Sequence, residues 1–188
     1  MFDRIKVLDL GCGTGRNANY LATMSGLVTG FEISPTALKI AKIRAEMEKL
    51  KVDYRLQNIG EKYPCLDEAF DLVLDVTSSN SLNEKEREVY LKETHRVLKK
   101  GGHFFVRALC KDGDTNVKEL LKISPGKEYD TYVNKEMNLT ERVFSKEDFI
   151  KTYFPLFKII KLEKKTGYAH FNNRIYKRNY WLGYLKKV

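Results

Sequence analysis

The sequence predicts an α/β protein in which a mostly parallel sheet is covered by helices on both faces. Three observations carry that expectation. Apolar runs at residues 5–10, 27–32, 70–76 and 103–109 are nearly continuous, as in strands buried on both faces rather than on one. Helical segments separate most of these strands, giving the order βαβαβ–βαβ of a parallel sheet. The first strand also runs straight into a glycine-rich turn and then a helix. A chain of 188 residues is long enough for one domain with a real core, so residues 1–188 read as a single unit.

The elements follow in order. Residues 5–10 form the first strand, Gly11-Cys12-Gly13-Thr14-Gly15 the turn, and residues 16–24 a short helix. Residues 27–32 form the second strand. The next helix opens with Ser34 as N-cap and Pro35 at its first position, where no intrahelical N–H is needed, and runs to about residue 50. The third strand, residues 53–57, leads into a loop containing Tyr63-Pro64-Cys65, and residues 70–76 form the fourth strand. A helix over residues 83–99 follows, closed by Gly101-Gly102 with lysines in its last turn. Residues 103–109 form the fifth strand. Residues 111–140 are less regular and read as an inserted excursion. A helix then starts at Ser145, with Asp148 three residues on. Two strands, residues 156–164 and 175–186, close the chain.

Composition narrows the function classes. With 43% hydrophobic and 31% charged residues the chain is an ordinary globular one, not a disordered one. Three cysteines, an odd number, argue against a secreted disulfide scaffold and for a reducing compartment, the cytoplasm. No apolar run approaches the ~18–20 residues of a membrane span, and the first residues lack the apolar stretch of a signal peptide. Residues 161–188 hold eight cations against the single acid Glu163, a net +7 of the chain's +9. Tyr168, Phe171, Tyr176, Tyr180, Trp181 and Tyr184 interleave with them. That mixture suits a nucleic-acid surface through phosphate neutralisation and stacking. It equally suits two strands with apolar faces inward and Lys or Arg outward, and the alternation favours the strands.

The strand–glycine turn–helix unit has the form of a nucleotide site. Glycines let backbone N–H groups approach a ligand, and the helix start offers unpaired donors. Glu32 ends the second strand, where a carboxylate can accept from both ribose hydroxyls of an adenosine. A dinucleotide fingerprint needs its third glycine three residues after the second; here that position is Arg16, and the glycine falls one earlier, at Gly15. The dinucleotide reading is weakened accordingly, and a ligand-free structural turn is a further alternative.

Val7-Leu8-Asp9-Leu10-Gly11-Cys12-Gly13-Thr14-Gly15 resembles the first motif of class I S-adenosylmethionine-dependent methyltransferases. The resemblance continues in Glu32-Ile33-Ser34-Pro35, in Phe70-Asp71-Leu72-Val73-Leu74-Asp75, and in Arg96-Val97-Leu98-Lys99-Lys100-Gly101-Gly102. It covers residues 5–110 well and the rest loosely. It implies a Rossmann-like sheet of seven strands, with the last antiparallel and inserted beside the sixth. The cofactor it implies is S-adenosylmethionine, and no metal is expected. Asp9, with the backbone of Gly11 and Gly13 in the loop that Gly15 closes, would line the methionine moiety. Glu32 would hold the ribose and Ile33 would pack on the adenine. Asn58, followed by Ile59, stands where the family often has an Asp near the adenine amino group. Asp75 and Val76 would lie where donor methyl and acceptor meet. Arg16-Asn17 after the loop is similar to the tellurite-resistance and thiopurine-type small-molecule methyltransferases. In this family helices usually precede the first strand and fold over the cofactor, whereas only residues 1–4 stand before it here; the sequence reads either as part of a longer chain or as one whose site another element closes, and an open pocket is expected.

For the acceptor, the stretch Asp75-Val76-Thr77-Ser78-Ser79-Asn80 lacks the Pro-Pro-aromatic signature of enzymes that methylate base amino groups. Pro64-Cys65 lies before the fourth strand and reads as loop. Arg107, near the end of the fifth strand, stands where it can bind an acceptor carboxylate or phosphate. His95 reads as structural and His103, at the start of the fifth strand, as exposed. His170, in the loop 167–172 between the last two strands, is the candidate base, and the excursion with Asp112, Asp114 and Tyr129 is expected to shape the acceptor site. The leading expectation is a methyltransferase acting on a small molecule. An RNA methyltransferase using the basic C-terminal face, and a cofactor-binding module without catalysis, are the alternatives. The sequence does not set the oligomeric state.

Overall fold

Five strands lie parallel: β1 (Lys6–Leu10), β2 (Leu27–Glu32), β3 (Val52–Leu56), β4 (Phe70–Val76) and β5 (Leu98–Leu109). Beyond β5 the chain adds a long hairpin of β8 (Lys158–Phe171) and β9 (Arg174–Lys186). β9 is antiparallel to both neighbours, so the sheet order is β3-β2-β1-β4-β5-β9-β8. The seven-stranded sheet with its last strand antiparallel and inserted beside the sixth is therefore as expected. The computed structural model describes residues 4–24, 26–135, 138–171 and 174–188, without the side chains of residues 169–171 and 174.

Helices α1 (Arg16–Thr23) and α2 (Pro35–Met47) cover one face of β1–β3. Val7, Val28, Ala18, Leu38, Ala41, Ala45 and Tyr54 are buried between them. Helices α3 (Glu84–Val97) and α5 (Lys146–Tyr153) cover the other face, over Leu8, Leu10, Val73, Phe104 and Val106. Tyr90, Val97, Phe149 and Tyr153 from these helices complete that core. Each fully buried Leu or Phe contributes about 1.5–3 kcal/mol relative to exposure.

The excursion is more regular than its sequence suggests. It holds α4 (Thr115–Ile123) and a separate hairpin of β6 (Thr131–Asn134) and β7 (Leu139–Arg142). Val117, Tyr132 and Val143 pack on Leu109 and Tyr180, so the excursion has a small core of its own against the end of the sheet.

Capping sets most helix starts. Ser34 accepts from the Ala37 amide at 3.2 Å, and Asn83 and Glu86 form a reciprocal capping box at α3. Asp114 and Ser145 cap α4 and α5. Three element ends differ from expectation. Helix α2 stops at Met47, because Lys49 turns left-handed (φ 55°) and the Leu50 amide returns to the Ala45 carbonyl. Helix α3 stops at Val97 rather than at the glycine pair, and residues 98–102 join β5. The chain's own C-terminus draws them in: the Gly101 amide donates to the Lys187 carbonyl and the Lys187 ammonium to the Leu98 carbonyl. Residues 167–171 of the expected loop are the end of β8, since pairing with β9 continues to Phe171 opposite Arg174, and residue 172 lies outside the described residues.

Candidate active site

The strand ends of β1, β2 and β4 build the site. In parallel register Asp9 stands beside Gly30 of β2 and Leu74 of β4. Asp9 is buried, and its Oδ2 finds no hydrogen-bond partner among the described residues. Burial first, then the neighbouring Asp75 and Glu32 carboxylates, push its pKa from 3.8 up to about 7, against the pull of the Ala18 amide. A buried carboxylate left unpaired among other acids is a site for a cation.

The three loop glycines do different jobs. A Cβ on Gly11 would lie 2.2 Å from Ser78 Cβ, and one on Gly15 2.4 Å from the Tyr54 hydroxyl. These two let the turn pack against β4's loop and against β3. A Cβ on Gly13 would meet nothing within 4 Å, so the open space lies there. The Gly13 amide is not free for a ligand phosphate: it donates to Glu32 Oε2 at 2.9 Å, while Oε1 accepts from the Ser34 amide at 2.8 Å. The anion held by the glycine turn is thus the protein's own carboxylate. Glu32 is fixed by two backbone amides, and each oxygen keeps a lone pair for a hydroxyl donor.

Ile33 is 64% exposed beside Glu32, an apolar surface left open at the site. Asn58 is engaged locally: its Oδ1 accepts from the Gly60 amide at 2.9 Å. Ile59 is buried in the main core, and its carbonyl accepts from the Tyr63 hydroxyl.

Asp75 is fully buried and its oxygens are already bound. Oδ1 accepts from the Ser78 amide at 2.9 Å, and Oδ2 accepts from the Tyr90 hydroxyl at 2.6 Å. Asp75 therefore shapes the loop after β4 from beneath. Val76 is partly buried at the strand end, and Thr77 after it is left-handed (φ 68°), rare for a β-branched residue. Asn80, buried, clamps this loop to β5 by donating to the Thr77 carbonyl and accepting from the Leu109 amide. Sequence reasoning missed Ser78, Asn80 and Tyr90. The polar string Ser78-Ser79-Asn80 directly after an apolar strand was the available signal; nothing local marks Tyr90.

On the acceptor side, Arg107 lies with its guanidinium 3.7 Å over the Tyr180 ring, and no carboxylate among the described residues pairs with it. His170 sits on β8 opposite Ile175, in the part of the hairpin that runs past the end of β5, where Leu109 pairs with Tyr180. Its side chain lies outside the described residues. Asp112 and Asp114 are tethers. Asp112 accepts from the Lys146 amide; Asp114 caps α4 and accepts from the Asn179 amide at 2.8 Å. Tyr129 is exposed, with Lys111 and Arg142 each 5.3 Å from its ring. His95 packs edge-on against Phe157, and His103 lies within β5, exposed. Cys65 is half-buried in its loop beside Arg55, with burial raising its thiol pKa.

Residues 7–102 match the model of the methyltransferase domain. The chain belongs to the methyltransferase-domain family. Its class I, S-adenosylmethionine-dependent fold is the one the motifs implied. A ubiquinone biosynthesis O-methyltransferase of Pelagibacter ubique is 30% identical over 110 residues, covering 57% of this chain. The match covers 43% of that relative, so the chain spans less than half its length. Among solved structures, a methyltransferase of Methanosarcina mazei superposes with a TM-score of 0.85 at 20% identity, over 100% of this chain and 94% of that one. The 1,6-didemethyltoxoflavin-N1-methyltransferase of Burkholderia thailandensis superposes with a TM-score of 0.72 at 18% identity, over 98% of this chain and 72% of that one. The latter was solved with 1,6-didemethyltoxoflavin and S-adenosylhomocysteine bound.

The residues present fit S-adenosylmethionine. The cofactor is cationic at its sulfonium and amino groups, and the cleft offers an unpaired buried carboxylate. A dinucleotide would instead bring a pyrophosphate to a glycine turn whose central amide already binds Glu32. No helix among the described residues is long and apolar enough to cross a membrane.

Proposed function

We propose that this methyltransferase domain transfers a methyl group from S-adenosylmethionine to a small-molecule acceptor in the cytoplasm. The buried Asp9 carboxylate, whose Oδ2 has no partner among the described residues, together with the open space at Gly13, is the observation that carries the reading. Bound there, S-adenosylmethionine supplies a methyl group activated by positive sulfur. Asp9 and the Gly11 and Gly13 backbone hold the methionine end, Glu32 the ribose hydroxyls, and Ile33, Asn58 and Ile59 the adenine side. Asp75 fixes the loop from Val76 to Asn80, which forms the wall between donor and acceptor. Methyl transfer is an in-line displacement, so holding the acceptor in line supplies much of the rate.

The acceptor end is built from Arg107, the excursion and the end of β8. Arg107 binds an anionic group of the acceptor, and His170 takes the proton where the nucleophile must lose one. The small-molecule acceptor of the Burkholderia relative and the O-methyltransferase likeness support this class of substrate. Three free thiols suit a reducing compartment.

The test is calorimetric titration with S-adenosylmethionine and S-adenosylhomocysteine, with NAD as control and Glu32→Ala as the broken site. Saturable binding of both sulfur nucleosides, lost in the variant, is expected. Binding of NAD alone, or of nothing, overturns the proposal. If RNA were the acceptor, its binding would weaken with salt by a log–log slope of about −0.7 per phosphate contact; a small molecule shows no such slope.

A further inference from the structure

Helix α2 is apolar on two opposite sides. Leu38, Ala41 and Ala45 form the row buried against the sheet. Ile40, Ile43 and Met47 form a second row, and they are 38%, 45% and 79% exposed. At 3.6 residues per turn the two rows lie about half a turn apart, so the second points directly away from the protein. The neighbouring helix α1, packed beside α2, adds Tyr20 and Met24 at 64% and 66% exposure, one turn apart on its own outward side. Five large apolar side chains are thus exposed on two adjacent helices, more than a solitary surface helix needs.

The charges on one flank of the row have an internal symmetry; on the other flank the Arg44 guanidinium is turned to the Thr14 carbonyl and hydroxyl. Lys39 and Glu46, both exposed, are seven residues apart and therefore share one flank of the Ile40–Ile43–Met47 row. A two-fold axis crossing the row near Ile43 sets two copies of α2 antiparallel. It then brings Lys39 of each copy opposite Glu46 of the other, giving two ion pairs at the rim of an apolar centre. A flank that complements itself under a two-fold is what an isologous contact requires. An unrelated partner would not need the opposite charges to stand symmetrically about the apolar row.

We propose that this face of α1 and α2 pairs with the same face of a second copy of the chain, with the two α2 helices antiparallel about Ile43. The row of Ile40, Ile43 and Met47 points outward from α2, and none of the three is among the residues assigned to the cofactor, so pairing is expected to leave both sites of the dimer open. Two helices per copy make a contact at the small end of stable interfaces, so the dissociation constant is expected near ~10 µM.

Sedimentation equilibrium of the full chain over a concentration series tests this. The wild type is expected to move from monomer to dimer with concentration. Ile43→Glu, which puts a charge at the apolar centre, raises the dissociation constant by about 100-fold or more. Lys39→Glu sets like charges opposite at both rims and weakens pairing about 10-fold; the double reversal Lys39→Glu with Glu46→Lys restores it. Titration with S-adenosylhomocysteine and circular dichroism accompany each variant, and both are expected unchanged, which separates loss of pairing from loss of fold or of the cofactor site. A wild type that stays monomeric at about 100 µM overturns the proposal, whether or not it binds anionic vesicles instead. A dimer indifferent to Ile43→Glu overturns it too, as does a double reversal that fails to restore pairing.

Discussion

Asp9 and Asp75 end adjacent parallel strands, are both buried, and differ in almost everything that matters for function. In register, Asp9 lies beside Leu74 and Leu10 beside Asp75, so the two carboxylates leave opposite faces of the sheet. Asp75 enters the core under α3, where the Ser78 amide and the Tyr90 hydroxyl bind it. Asp9 enters the side where α1 begins, and its Oδ2 has no partner among the described residues. One carboxylate is structural because the fold supplies its donors. The other is available because the fold withholds them. An unpaired buried charge costs stability, and a protein keeps it where a ligand completes it.

The comparison breaks most sharply at Asp75. Asp75→Ala leaves the Tyr90 hydroxyl and the Ser78 amide without their acceptor, and is expected to cost about 3–5 kcal/mol in urea unfolding. A loss below about 1 kcal/mol would mean that water replaces the carboxylate.

Asp9→Asn is expected to do the reverse. The folded pKa near 7 lies above the unfolded 3.8, so the folded state holds the proton more tightly. Wild-type stability without cofactor therefore falls as pH rises from about 4 to 7 and is level above that. The variant has no such slope, so measured against the wild type it is about 2–4 kcal/mol better placed at pH 8 than at pH 4. Its affinity for S-adenosylmethionine falls about 100-fold at pH 8, while wild-type affinity drops below pH 7 as Asp9 is protonated. Parallel pH slopes for the two proteins would sink the assignment.

The smallest effect separates two glycines. Gly11→Ala meets Ser78 and a left-handed backbone, and is expected to cost about 2–3 kcal/mol in stability. Gly13→Ala has only the left-handed backbone to bear, about 1 kcal/mol, yet its methyl enters the open space and lowers cofactor affinity. Equal stability losses with unchanged affinity in Gly13→Ala would place the cofactor elsewhere.

Much of the cofactor half was legible because its signals are local. A glycine turn after an apolar strand, Glu32 at the end of the next strand and the Ser34-Pro35 helix start all lie within a short stretch. Parallel strands then carry those ends to one edge without further instruction. The acceptor half was legible only in outline. Asp112 and Asp114 drew notice as site residues and are tethers, because their partners, the Lys146 and Asn179 amides, lie 34 and 65 residues away. Residues 98–102 became strand because the C-terminus pairs with them. Tyr90 carried no local mark, since its meaning lies in Asp75 on another element.

The sequence by itself determined the main sheet, the helices between its strands, the glycine turn and the residues that stand at the strand ends, because periodicity, caps and turn residues act over a few positions. The tertiary structure alone decided which glycine faces open space, which aspartate is left without donors, and that the turn's amide belongs to Glu32. Those depend on what packs against each atom from across the sheet, and no local pattern of residues records that.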